Sequence, residues 1–404
     1  MIKFLKSLGP GLLFAGAAIG VSHLVQSTRA GAEFGFGLLW ALILVHLFKY
    51  PFFQYGPRYA TATGESLLDG YKRLGKGVLI TYFVLNMATM FTIQAAVTIV
   101  TAGLAINLFG MSNDPITWSI VITIIGLCIL IIGRYKLLDN LMKIIILILT
   151  ITTVASVLVA IFNTNKSFDF TQILPKETLQ IGFLIAFLGW MPAPLDVSIW
   201  QSLWAIEKKK DESDYDTKKS IFDFNIGYFG TLVLGICFLS LGTIVMYNSG
   251  ESFSGSAGPF AHQLIVLYTG TIGESMYLII GIAAFTTMFS TTLTTLDASP
   301  RAMTRTVELL TNKISKKMYW FWIGFLSIGT IIILKFFLSE MGTLIKIATI
   351  LSFLTAPFYA IINFTLISGK HTPQEWHPSI AMKILSYSGI IFLIGFSAWY
   401  LMNL

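Results

Sequence analysis

Charge is what this 404-residue chain has least of: Asp, Glu, Lys and Arg together make up 12%. A soluble domain carries about 25%. Cysteine is also scarce. Cys128 and Cys237 both sit inside apolar runs, without metal-ligand spacing. That excludes a disulfide framework and a cysteine zinc site, and it says little about redox compartment. No HExxH, nucleophile elbow or pair of catalytic carboxylates occurs, so an enzyme is not expected. No glycine-rich nucleotide loop or ATPase motif occurs either, so transport would draw on a gradient and no cofactor is expected. The net charge of +7 would suggest nucleic acid in a soluble protein. Here it belongs to loops between apolar runs, and no nucleic-acid partner is expected.

Apolar sequence is abundant. Hydrophobic residues make up 55% of the chain, and mean hydropathy is +0.76. They come in runs of roughly 20 residues, the length that crosses a bilayer core. Only helices and closed barrels satisfy every backbone group in lipid, and the period-two alternation of barrel strands is missing. The expectation is an all-α integral membrane protein with eleven spans. They are read at 9–34, 38–60, 78–108, 115–133, 139–162, 179–205, 221–247, 263–296, 318–338, 342–368 and 380–402. Lys3 and Lys6 precede the first run as in a signal peptide. That run is long, glycine-rich and followed by many more, so a retained first helix is expected.

Basic residues give an orientation. With the N-terminus inside, 21 of the 27 Lys and Arg fall on inside segments. The exceptions are Arg29, Lys49, Lys166, Lys176, Lys335 and Lys346. This is the positive-inside bias. It places the N-terminus in the cytoplasm and, with eleven spans, the C-terminus outside, in a bacterial cytoplasmic membrane. The mixed-charge run from Lys208 to Lys219 is read as a solvated cytoplasmic loop.

Two spans carry breakers at membrane depth. One reads Gly16-Ala17-Ala18-Ile19-Gly20-Val21-Ser22-His23, the other Gly189-Trp190-Met191-Pro192-Ala193-Pro194-Leu195-Asp196. Proline removes an amide donor and clashes with the preceding turn, so two prolines one residue apart predict local unwinding. Irregular backbone survives in a membrane only when buried in protein or lining a cavity. Matching breaks in two halves point to a transporter site. The breaks fall in spans one and six, and an odd offset of five spans gives the halves opposite orientation. The repeats are read at 9–162 and 179–368, with an extra helix at 380–402.

At these residues the chain resembles the Nramp family of divalent-metal transporters. The stretch Gly9 to Trp40, with its GPG, AGA and FGFGLLW, is similar to the family's first span. Met191-Pro192 resembles the start of its Met-Pro-His motif, and Phe289 to Leu310 its Ser/Thr-rich eighth span. The resemblance implies a LeuT-type inverted repeat of five plus five helices, with helices one and six broken. It also implies alternating access around a site between them. The chain departs from the family's pattern at that site. The Asp-Pro-Gly-Asn signature falls on Gly20, Val21, Ser22 and His23, so a glycine stands where the metal-binding aspartate would be. Met191 matches the thioether ligand, Ala193 falls on the histidine, and Leu188 falls on the residue whose carbonyl contributes. Ala95 and Thr98 fall on acidic proton-path positions.

The implied substrate site is therefore Ala17, Gly20, His23, Met191, Ala193 and Asp196. His23, Met191 and Asp196 are the candidate metal ligands. Asp196 is an intramembrane acid, a functional candidate in itself. It offers His23 a hydrogen-bond partner. Asp297 with Arg301 or Arg305 is a candidate inner gate. Gln26 and Gln94 are read as helix-packing residues, and His46 and Lys49 as interfacial or snorkelling. Trp190, Trp200 and Trp204 offer either an aromatic surface for an organic cation or a membrane belt. The leading expectation is a transporter of a cation, with a coupling ion as a further candidate partner. The rivals are a carrier of a small organic solute (an amino acid or amine) and a non-transporting sensor or partner subunit.

Overall fold

The computed structural model describes residues 9–164, 168–250, 253–254, 256–274, 277–337 and 341–403. Lys3, Lys6 and Lys166 lie outside the described residues, as do the side chains of Arg134, Lys136, Lys143 and Lys316. All regular structure among the described residues is helical. The first span is α1 (Pro10–Ala18), a π-helical segment Val21–Ser27 and α2 (Thr28–Phe34). A 3₁₀ turn, Gly35–Leu38, leads to α3 (Leu39–Thr63), then α4 (Leu67–Leu74), α5 (Lys76–Phe109) and α6 (Pro115–Asn163). The sixth span is split into α7 (Thr178–Trp190) and α8 (Val197–Asp211). There follow α9 (Thr217–Met246), α10 (Ala257–Ile272), α11 (Tyr277–Thr311), α12 (Lys316–Phe337), α13 (Met341–Ser368) and α14 (Ile380–Met402).

Two sequence boundaries move. The spans read at 115–133 and 139–162 form one continuous helix of 49 residues. At 1.5 Å per residue it is about 74 Å long, more than twice a ~30 Å bilayer core. The polar stretch between the two runs lowers hydropathy but contains no proline, so nothing in it forces the helix to end. Conversely, the span read at 263–296 divides into α10 and α11. Gly273, with φ of +107°, ends α10 in a conformation that favours glycine. Hydropathy averaging passed over that stop because both flanks are apolar. Eight helical stretches are long and apolar enough to cross a membrane among the described residues, with Pro10–Thr63 counted as one of them.

Lipid tails are as apolar as leucine, so helices in a bilayer associate through close packing and small residues. α9 shows this against the first span. A Cβ on Gly11 would collide with the Asp223 carbonyl, and one on Gly227 with the Gly11 carbonyl. On the other side of the break, Gly31 meets the Leu239 carbonyl and Gly242 the Thr28 carbonyl. These two close approaches clamp α1 and α2 to one straight helix, so the kink between them is held from both sides. The buried core lies around α1, α3, α7 and α8. On α14, Ile380, Ile384, Tyr387, Ile391 and Ile394 are exposed along one helical stripe, the face that lipid would cover.

Candidate functional site

The break in the first span is at Ile19 and Gly20. α1 ends at Ala18, Gly20 adopts φ −131° and ψ −125°, and helix resumes in π form at Val21. Carbonyls released by the break find side-chain donors. Thr291, on α11, donates its Oγ1 proton to the Gly16 carbonyl at 3.0 Å, and Ser22 Oγ donates to the Ala18 carbonyl. His23 is fully buried. Its Nδ1 lies 3.0 Å from the Ala18 carbonyl and 2.8 Å from Ser22 Oγ, and its Nε2 lies 3.0 Å from the Thr231 carbonyl on α9. Both ring nitrogens are thus turned to protein, and the ring bridges the break to α9.

The break in the sixth span follows from its prolines. α7 ends at Trp190, and Met191 still donates its N–H to the Phe187 carbonyl at 3.1 Å. Pro192 and Pro194 have no N–H to offer, so the last carbonyls of α7 lack helical partners. Lys49 supplies the donor. Its Nζ lies 2.7 Å from the Leu188 carbonyl, 2.8 Å from Gly189, 3.0 Å from Met191 and 3.3 Å from Ala193, three N–H protons shared among four acceptors. An ammonium at the negative end of a helix dipole is stabilised there. Asp196 stands at the start of α8, where the dipole favours an anion, and its buried Oδ1 has no hydrogen-bond partner. Each half-helix end therefore carries an internal opposite charge.

The two breaks face one small cavity of about 30 Å³, space for about two waters. Ala17, Ser22, Trp190, Ala193, Trp200 and Thr291 line it, and among the described residues its lining holds no charged side chain and no histidine. Larger cavities of about 550 and 570 Å³ lie beyond it. One touches Leu179, Gln180, Phe183 and Ala186 in α7, the other Leu203, Ile206, Glu207 and Lys210 in α8, so they open at the two ends of the sixth span. At the second, Arg301 pairs with Asp297 at 2.8 Å, and Tyr319 donates to the same carboxylate. Arg305 pairs instead with Asp69 at 2.5 Å.

The expected residues are only partly assembled. Ala17 and Ala193 line the cavity, but His23, Met191 and Asp196 do not. Met191 Sδ meets Ser27 Oγ at 3.8 Å, and His23 spends its nitrogens on carbonyls rather than on Asp196. No group of three His, Cys, Asp or Glu side chains is placed to hold a metal among the described residues. A Cβ on Gly20 would lie 2.7 Å from Thr291 Oγ1, so the space beside the missing carboxylate is taken. Gln94 packs helices as expected. It accepts from Thr295 Oγ1 at 2.6 Å and donates to the Thr292 carbonyl at 3.3 Å.

His46 and Lys49 are not interfacial: both are buried in the protein. Hydropathy reports depth along a helix but not which face meets protein, which is why the sequence reading misplaced them. Asp223, on α9, was missed altogether. It accepts from the backbone N–H groups of Gly9 at 3.1 Å and Gly11 at 2.9 Å and from Tyr215 Oη at 3.0 Å, capping the N-terminal end of α1. Its signal was available: it is an acid inside an apolar run.

Two broken helices around one small cavity, with a larger cavity toward each end of the sixth span, define a membrane transporter of the LeuT type. The chain belongs to the Nramp family: the model for natural resistance-associated macrophage protein-like proteins matches residues 11–403. It is 34% identical over 403 residues to an uncharacterized protein of Pasteurella multocida, covering 97% of this chain and 93% of that one. A divalent metal cation transporter, MntH, of Staphylococcus aureus is 24% identical over 305 residues, covering 72% of this chain and 67% of that protein. A solved structure of the Eremococcus coleocola manganese transporter superposes with a TM-score of 0.72 at 13% identity, covering 99% of this chain and 94% of that one. The structure of MhsT in complex with L-phenylalanine superposes with a TM-score of 0.66 at 13% identity, covering 98% of each.

Proposed function

We propose that the chain is a secondary active transporter that moves a cation, a divalent metal, through an altered site between the first and sixth spans. The carrying observation is the pair of helix breaks facing one small cavity between two larger ones. Relatives named as divalent metal cation transporters support the cargo. The site would be Ala17 and Ala193 at the cavity, with Gly20, His23, Met191 and Asp196 behind it. Asp297 with Arg301 would gate the end nearest the basic loop. The charge bias supports a cytoplasmic N-terminus and an external C-terminus, and the bacterial relatives support a bacterial cytoplasmic membrane. On this reading 9–162 and 179–368 are the inverted repeats, and the bundle containing spans one and six moves against the scaffold.

The altered site predicts weak metal affinity. A divalent ion wants carboxylate or imidazole ligands to offset its dehydration, and the cavity lining supplies neither. That same lining favours a second reading. Trp190 and Trp200 beside Ser22 and Thr291 would suit a small organic solute, an amino acid or amine, in a state where the cavity is wider than the space for two waters it has here.

Proteoliposomes containing the purified protein test both. Mn²⁺ uptake that is lost in His23→Ala and Asp196→Ala supports the first. Uptake at the wild-type rate in both variants removes the proposed site. A thermal-shift response to amino acids or amines, with none to Mn²⁺, moves the assignment to the second. Absence of any flux would leave the sensor as the surviving class.

A further inference from the structure

Lys49 is a buried cation that the proposed transport path does not use. It projects from α3 and is fully buried. Its ammonium has four acceptors, all backbone carbonyls of the sixth-span break, at 2.7, 2.8, 3.0 and 3.3 Å. No carboxylate lies within ion-pair distance of it among the described residues. Asp196, at the start of α8, is not among its hydrogen-bond partners. The ammonium is therefore held by a cage of carbonyl dipoles rather than by a salt bridge.

A charged side chain inside a membrane protein is expensive to bury. Water or a hydroxyl would suffice to satisfy one free carbonyl, as Thr291 and Ser22 do at the first break. Four carbonyls converging on one point are a different arrangement. Two belong to the last turn of α7, where the dipole is negative, and two to the proline-containing segment that cannot bond back. Convergent carbonyls replace the hydration shell of a monovalent cation. The distances to Lys49 Nζ are the N···O distances of a hydrogen-bonded ammonium, longer than the about 2.3–2.6 Å that calcium takes and the about 2.0–2.1 Å of magnesium.

We propose that the carbonyls of Leu188, Gly189, Met191 and Ala193 form a monovalent-cation site of which Lys49 is the built-in occupant. Ammonium, potassium or a short primary alkylammonium is the class that fits once the lysine is removed. The tethered charge makes the break independent of ions from solution. The cavity on its other face is then free to take cargo without a separately bound ion at this position. The inference holds whichever cargo the cavity takes.

The test uses the full chain in detergent, with N-methylglucamine chloride as the only salt. Lys49→Ala is melted against increasing ammonium, n-propylammonium, potassium or sodium chloride at constant ionic strength. n-Propylammonium is the part of the side chain that the substitution removes. The expected result is a saturable rise in melting temperature that the wild type lacks, with n-propylammonium and ammonium acting at the lowest concentrations. Lys49→Met fills the stem and leaves the carbonyls bare. It should respond to ammonium and potassium but not to n-propylammonium. A Lys49→Met protein as stable as wild type without added cation overturns the proposal, as does an equal response in all three proteins. If Lys49→Ala folds in none of the salts, the Lys49→Met response alone decides, and its absence rejects the site.

Discussion

Thr291 Oγ1 stands 2.7 Å from where a Cβ on Gly20 would be, and Thr291 Cγ2 stands 2.8 Å from it. The hydroxyl is held there by the Gly16 carbonyl at 3.0 Å. A residue on α11 has thus taken the space at the position where the family resemblance puts an aspartate. Loss of the acid and gain of the threonine contact are one local arrangement.

That relationship makes a double-substitution prediction. Gly20→Ala overpacks the contact and should cost about 1–3 kcal/mol of stability. Thr291→Ala removes both clashing atoms and should recover part of that loss in the same chain. Melting of the two single variants and the double variant gives the coupling directly. Additive losses would show that the two side chains do not compete for one space.

Asp223 should anchor the start of the first span. It accepts two backbone N–H groups at the N-terminal end of α1, where a carboxylate is stabilised by charge-assisted bonds and the helix dipole. Asp223→Ala leaves those donors buried without partners and is expected to cost about 2–3 kcal/mol. Asp223→Asn keeps one acceptor and should cost less. Hydrogen exchange at Gly9, Gly11 and Leu13 reads the effect locally: unchanged protection in Asp223→Ala would refute the anchoring role.

Asp297 should hold the cavity end closed. Arg301 and Tyr319 both bind its carboxylate. Asp297→Ala releases both and should speed thiol labelling of a cysteine placed at Ala17, in a background with Cys128 and Cys237 replaced by serine. Labelling at the parent rate would mean that the pair does not restrict access from that end.

Asp114 gives a pH dependence outside the spans. It caps α6 by accepting from Ile116 N at 3.1 Å and Thr117 N at 3.0 Å. The Thr117 hydroxyl bond, at 2.6 Å, leads in holding its carboxyl below the ordinary value of 3.8. A depressed carboxyl contributes stability above its unfolded value and loses it as pH falls through the folded one. Asp114→Ala should therefore cost about 1 kcal/mol at neutral pH. The gap to wild type should narrow below pH ~4. A gap that stays constant to pH ~3 would contradict the cap.

Much of the architecture was legible. Apolar runs of bilayer length and the absence of strand periodicity gave an all-helical membrane protein. Pro192 and Pro194 gave the second break, because a residue without an N–H cannot continue the ladder. Gly20 gave the first more faintly. The Gly20–His23 stretch also carried the departure from the family's acidic signature, since that is a matter of residue identity alone.

The rest depended on which faces meet. Lys49 and His46 read as interfacial because hydropathy averages around a helix, and only packing reveals that these side chains turn inward. His23 read as a ligand because an imidazole is one by chemistry. It is a bridge here because the Thr231 and Ala18 carbonyls lie within reach of its two nitrogens. Covalent sequence alone determined the all-helical membrane class, the prolines and the missing carboxylate. Tertiary structure decided which donor answers each broken helix end, because carbonyls freed by a local break are satisfied by side chains far along the chain, Lys49 at the sixth span and Thr291 at the first.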